Sequence, residues 1–165
     1  MFSFQHTSLF ITVLLAGLVA GLLYSYSCSV NLGLRSLPDS EYLKAMQSIN
    51  SAIQNPWFFV SFMGLLVMYP LSIWQMYSQQ AMPAYYFMLL ATVLYFTGVF
   101  GVTVLGNVPL NNQLAGFDVS NATIDEITAM RIAFEKPWNT FHFIRTISAV
   151  ISFGLSIVAV LKYKS

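Results

Sequence analysis

The sequence predicts an all-α protein, a four-helix transmembrane bundle with two amphipathic helices outside the membrane. Composition is the first reason: 57% of the residues are hydrophobic and 8% are charged, against about 25% charged in soluble domains. The second is length, because four apolar stretches each reach the ~20 residues that a helix needs to cross a hydrocarbon core. The third is pattern. None of the four alternates apolar with polar as barrel strands do, and a continuous apolar segment satisfies its backbone in lipid as a helix. Residues 1–165 are therefore expected to form a single four-span domain.

The elements follow in chain order. Span one covers Leu9 to Ser27 without a charge, and Met1 to Phe10 carry no Lys or Arg. With no basic n-region and no well-placed small-x-small cleavage site, it is expected to be a retained helix rather than a signal peptide. Ser25, Tyr26 and Ser27 before Cys28 do not fit a lipidated cysteine. The connection to Pro56 carries Tyr42, Met46, Ile49 and Ile53 at helical spacing, the first amphipathic segment. Span two runs from Trp57 to Tyr77, a short turn covers Gln79–Pro83, and span three runs from Ala84 to Leu105. A helix stop is expected at Asn107, because asparagine caps a C-terminus well and Pro109 opposes continuation. Ile124, Ile127, Met130 and Phe134 form the second amphipathic segment, and span four extends from Trp138 to Leu161.

The halves at about 9–78 and 84–162 echo one another. Each span exit leads to an amphipathic segment and then a Pro-Trp step, Pro56-Trp57 or Pro137-Trp138. Proline suits the first turn of a helix, so both steps read as helix starts, with the indoles at the membrane interface. A true repeat of this kind is parallel, with a pseudo-two-fold axis along the membrane normal, and it gathers both long connections over one mouth of the bundle. General likeness among apolar helices is the competing explanation. Four spans put both termini on one side, and Lys162 and Lys164 favour the cytoplasm of a plasma (inner) membrane.

Charge and cysteine content exclude several functions. Seven basic against six acidic residues leave no basic surface for nucleic acid. One cysteine excludes an internal disulfide and a Cys-x-x-Cys pair. Two histidines and no Glu-x-x-His pair make a metal centre unexpected. The expected partners are membrane lipids and a lipophilic small molecule, and a second copy of the chain is compatible with the composition.

Polar residues gather at one mouth. Asn107, Asn111 and Asn112 follow span three, while Glu135, Trp138, Asn139, His142 and Arg145 recur at helical steps of three and four. Asn31 and Asn50 come from the first half, and Tyr24, Ser25 and Ser27 end span one nearby. A guanidinium inside a span costs at least ~2.5 kcal/mol, so Arg145 faces a partner or a wet cavity unless it snorkels. It either serves a site or pairs with Glu135 to hold helices together. His142 likewise serves a site or bonds a neighbouring helix. Tyr69 and Tyr95 read as interface tyrosines.

Asn107-Val108-Pro109-Leu110-Asn111, an amphipathic segment, and Trp138-Asn139 with His142 and Arg145 together resemble the anthrone-oxygenase-like membrane proteins. Ala45-Met46-Gln47-Ser48-Ile49-Asn50 before span two agrees, and the resemblance covers most of the chain. It implies the four-helix layout and oxygenation of an anthrone to an anthraquinone by molecular oxygen, without a metal, flavin or other cofactor. It implies His142 as base and Arg145, with Asn111 or Asn112, as holder of the developing oxyanion. Asn107, Trp138, Asn139, Glu135, Asn31 and Asn50 complete the candidate substrate-binding set. Beside this oxidoreductase reading stand two others: a non-catalytic binder or carrier of a hydrophobic molecule or lipid, and a structural partner of other membrane proteins.

Overall fold

The computed structural model describes residues 4–163, which are helical apart from short turns. Lys164 and Ser165, which bear on orientation, lie outside the described residues. Four helices are long and apolar enough to cross a membrane: α1 (Phe4–Arg35), α3 (Pro56–Ser78), α4 (Met82–Ala115) and α5 (Ile124–Lys162). Between the first two lies the amphipathic α2 (Asp39–Ala52). The chain is a multi-pass membrane protein. Successive spans pack on one another, and α5 closes the ring against α1.

The start of α3 matches its sequence signal. Asn55 accepts a hydrogen bond from the Phe58 amide at 3.1 Å, and Pro56 occupies the first turn, where no N–H is needed. The turn between α3 and α4 is a Schellman motif: Ala81 N–H donates to Met76 O and Gln80 N–H to Tyr77 O. Its left-handed position is held by Gln80, at φ 55°.

Three boundaries differ from expectation, and π winding explains two of them. α1 continues past Ser27 to Arg35 through a π-wound stretch, Tyr26–Val30. α4 does not stop at Asn107, which is right-handed at φ −73°. The stretches Tyr95–Gly101 and Thr103–Asn107 are π-wound, and Val108–Ala115 resumes the α-helix with Pro109 in its first turn. Wide i→i+5 turns relieve the proline of both the missing donor and the clash with the preceding turn.

The third concerns Pro137, which lies inside α5 and does not begin span four. The helix starts at Ile124 behind a capping box, with Thr123 and Glu126 satisfying each other's backbone N–H groups. Phe134 and Trp138, either side of the proline, are both buried in the same cluster beneath α2. That packing holds one helix face across the break. The second amphipathic segment is thus the outer end of span four.

Two cores result. One runs through the bundle and includes Leu65, Tyr69, Met88, Tyr95 and Ala149. Tyr69 and Tyr95 are core residues here, not interface residues: Tyr69 Oη lies 2.7 Å from Ser152 Oγ, and Tyr95 donates to Phe62 O at 2.7 Å. The other joins α2 to the mouth through Tyr42, Met46, Leu114, Phe134 and Trp138. Gln47 stitches it by donating to Leu114 O and Phe117 O, each at 2.9 Å. Arg131 donates to Asp39 and Glu135, at 2.9 and 2.8 Å, and to Leu37 O.

Candidate functional site

Beneath α2, between the outer ends of the spans, lies a cavity of about 340 Å³. α5 supplies Trp138, His142 and Arg145; the outer end of α4 supplies Thr103, Asn111 and Asn112; α2 supplies Asn50. Most of the remaining wall is apolar, including Leu23, Ile49, Phe58 and Phe62. A mainly apolar pocket with a few convergent polar groups is the usual form of a small-molecule site.

Trp138 is 3% exposed, an anchor in the wall rather than the interface residue expected. Its indole N–H donates to Asn111 Oδ1 at 2.7 Å, and its backbone oxygen accepts from Asn107 Nδ2 at 3.2 Å. The ring stacks on His142 at 5.2 Å between centroids and 12° between planes. Tyr26, from the π-wound stretch of α1, meets the same imidazole edge-on at 4.8 Å. The imidazole is held between two aromatic rings.

Hydrogen bonds determine its tautomer. Arg145 donates from Nε at 3.3 Å and from Nη2 at 3.2 Å to His142 Nδ1. A guanidinium only donates, so Nδ1 is the acceptor and the ring proton sits on Nε2. Nε2 then donates to Ser27 Oγ at 2.8 Å, and Ser27 donates onward to Leu23 O at 3.1 Å. Thr146 backs the ring, with Oγ1 3.4 Å from Nε2. Arg145 also points Nη1 at Thr103 Oγ1, 3.5 Å away, and its guanidinium carbon lies 5.2 Å from the Trp138 ring centroid. Its expected alternative partner is engaged elsewhere, because Glu135 pairs with Arg131.

The predicted residues divide into four groups. His142, Arg145, Trp138, Asn111, Asn112 and Asn50 line one cavity. Asn107 is fully buried behind Trp138, which it braces. Glu135 and Asn139 line a separate outer groove with Arg35, Asp39 and Arg131. Asn31, though buried, is not in the cavity wall. The five α5 residues had been expected on one side; in the structure Glu135 and Asn139 sit on the flank turned to that groove. In it, hydrogen bonds from Thr128 and then Arg131 hold the Asp39 carboxyl below its usual range.

Tyr26 and Thr103 were missed because each lies in or beside a π-wound stretch, where helical spacing no longer predicts facing. The side-chain amide of Asn50 carries the clearest request for a ligand. Its Nδ2 is buried without a partner at the cavity wall. Among the described residues, no three His, Cys, Asp or Glu side chains converge as a metal site.

The family model described as Anthrone oxygenase matches residues 57–155, from the start of α3 to well into α5. That range contains Asn107, Asn111, Asn112, Trp138, His142 and Arg145. No curated protein and no solved structure matches the chain.

Proposed function

Because the chain belongs to the anthrone oxygenase family, we propose that it oxidises a flat, lipophilic, anthrone-like aromatic with molecular oxygen in this cavity. The observation that carries the reading is the Arg145–His142 contact facing an apolar chamber. In the resting site Arg145 occupies the His142 Nδ1 lone pair. A substrate carbonyl oxygen that draws the guanidinium to itself frees that lone pair and receives a charged donor in the same movement. His142 then takes a proton from the methylene carbon conjugated to the carbonyl, and Arg145 stabilises the enolate oxygen as charge develops. Asn50 Nδ2 offers a further donor.

The electron-rich carbanion passes one electron to oxygen, and collapse of the radical pair forms a carbon–oxygen bond. The resulting peroxide anion recovers the proton from His142. Loss of water from the hydroperoxide then makes the second carbonyl. The balance is one anthrone and one O₂ giving one anthraquinone and one water. Trp138 and Tyr26 keep the imidazole oriented through both proton transfers.

Oxygen uptake by proteoliposomes supplied with a panel of anthrones and hydroquinones tests this. Uptake above the uncatalysed rate, abolished by His142→Ala, is expected with at least one anthrone. Equal uptake by both proteins contradicts it. A carrier is the second reading, favoured because both ring nitrogens of His142 are already engaged. It predicts tight binding of 9,10-anthraquinone with no uptake. We also propose, from Lys162 and Lys164 at the end of the last span, that the chain lies in the plasma (inner) membrane with cytoplasmic termini; activity confined to the exported compartment for a reporter fused after Ser165 reverses that orientation.

A further inference from the structure

We infer that the substrate reaches this cavity sideways from the bilayer, through an opening between α3 and the π-wound outer half of α4. The inference rests on the cavity being the binding site. Its basis is how α4 is shared between its two neighbours. α5 packs along the whole of α4, whereas α3 packs on the Met82–Leu94 stretch and stands off from Thr103–Asn107.

Two glycines explain the asymmetry. A Cβ on Gly106 would sit 2.7 Å from the Phe141 ring, and one on Gly98 would overlap the Ser148 side chain. Both positions let the outer half of α4 lie closer to α5 than any side chain allows, which is the role of small residues at membrane helix contacts. Drawn to α5, this half of α4 leaves a gap on its α3 side. The gap has a definite floor. Phe62 and Phe100 meet at 5.8 Å between centroids, and Tyr95 bonds the Phe62 carbonyl beside them.

Above that floor, four apolar residues of α3 and α4 both line the cavity and stay open to the surroundings. On α3 they are Phe59 and Met63, each 41% exposed; on α4 they are Val104 and Val108, at 42% and 39%. The rim is apolar and lies within two candidate spans, so what meets it is lipid acyl chain. On the mouth side α2 covers the cavity, with Met46 fully buried and Gln47 tied down at both its contacts, and the exposed wall residues there, Gln54 and Asn112, are polar. A flat aromatic that partitions into the membrane thus meets an apolar doorway before any polar one. The same doorway admits oxygen, which also concentrates in hydrocarbon. Rim volume then governs which substrates enter, while Arg145, His142 and Asn50 govern how they bind.

The test uses the full chain in nanodiscs with Trp57→Phe and Trp74→Phe, which leaves Trp138 as the reporter inside the cavity. Quenching by membrane-dissolved 9,10-anthraquinone is followed by stopped flow. Val104→Phe and Met63→Phe, separately, should slow the onset at least tenfold while final quenching stays within about twofold. Val67→Phe, lipid-facing on α3 and absent from the cavity wall, should leave the rate unchanged. Wild-type rates in both rim variants overturn the doorway. So does lost final quenching at an unchanged rate, which would put the new rings in the cavity itself. A second measurement needs no rim variant: the onset should follow anthraquinone per lipid when empty lipid is added, and dependence on aqueous concentration alone overturns the proposal. Failure of anthraquinone to quench Trp138 at all sinks the cavity reading, and the doorway with it.

Discussion

Replacing Arg145 by methionine separates a site residue from a helix tie, because the structure gives it weak structural bonds and a place in the cavity wall. Its contacts are donations to His142 at 3.2 and 3.3 Å, one to Thr103 at 3.5 Å, and the face of Trp138 at 5.2 Å. No carboxylate pairs with it among the described residues; the ion pairs there are those of Arg131. Hydrogen bonds between membrane helices average ~0.6 kcal/mol, and a cation–π contact is worth roughly 0.5–2 kcal/mol. Losing them all costs about 2–4 kcal/mol. Removing a charge from a span relieves about 2.5–3.5 kcal/mol. The two nearly cancel, so the melting of Arg145→Met in detergent should stay close to wild type, a net change of about 1 kcal/mol or less. Turnover has no such compensation. Loss of a donor to a developing oxyanion lowers rate by about 10²- to 10³-fold. Thermal melting, anthraquinone binding and oxygen uptake on one preparation decide the matter. A clear loss of stability with ligand binding intact would refute the reasoning and make Arg145 a tie.

Asn111→Leu removes the acceptor of the buried Trp138 indole N–H; it should cost about 1–3 kcal/mol and weaken anthraquinone binding as the ring leaves His142, measured by melting and fluorescence titration. Gln80→Gly should raise stability by about 1 kcal/mol, because glycine tolerates the left-handed φ of 55° that glutamine holds there; an unchanged or lower melting temperature contradicts this. Asp39 has its carboxyl held down by the Thr128 hydroxyl and then Arg131. The stabilisation is therefore present above its unfolded-state value of about 4 and is lost as pH falls through the lower folded value. Asp39→Asn should flatten the pH dependence of melting in that acid window, and an identical acid profile in both proteins counts against the contact.

The spans were legible because hydrophobicity over ~20 residues is a bulk property that local detail does not disturb. α2 was legible too, since Tyr42 and Met46 at helical spacing became its buried face. What escaped were the places where the helix period changes. Gly106, Asn107 and Pro109 carry every sign of a stop, yet π winding takes α4 through them to Ala115. Pro137 resembles Pro56 in sequence, but only Asn55 caps a helix start there, while the capping box for α5 lies earlier, at Thr123 and Glu126. Tyr69 and Tyr95 could not be told from interface tyrosines without knowing that Ser152 and the Phe62 carbonyl would face them. Within the site, His142, Arg145 and Trp138 announced themselves as polar or amphipathic residues near one span end. Ser27 had a usable signal: it extends the buried stripe Thr12, Ala16, Val19 and Leu23 of α1. Glu135 and Asn139 share that region of α5 but lie on another flank, a distinction that spacing alone blurred.

Photolabelling asks most directly whether a flat lipophilic aromatic occupies the cavity beneath the mouth. Photoexcited 9,10-anthraquinone abstracts hydrogen from its neighbours and couples to them, so irradiation of loaded proteoliposomes followed by peptide mapping reports where it sits. The account predicts labels concentrated on cavity residues from three helices, such as Tyr26, Ile49 and Phe58, and competed away by excess unlabelled anthrone. Labels spread evenly over lipid-facing residues such as Leu18, Val67 and Leu90, without competition, would contradict it.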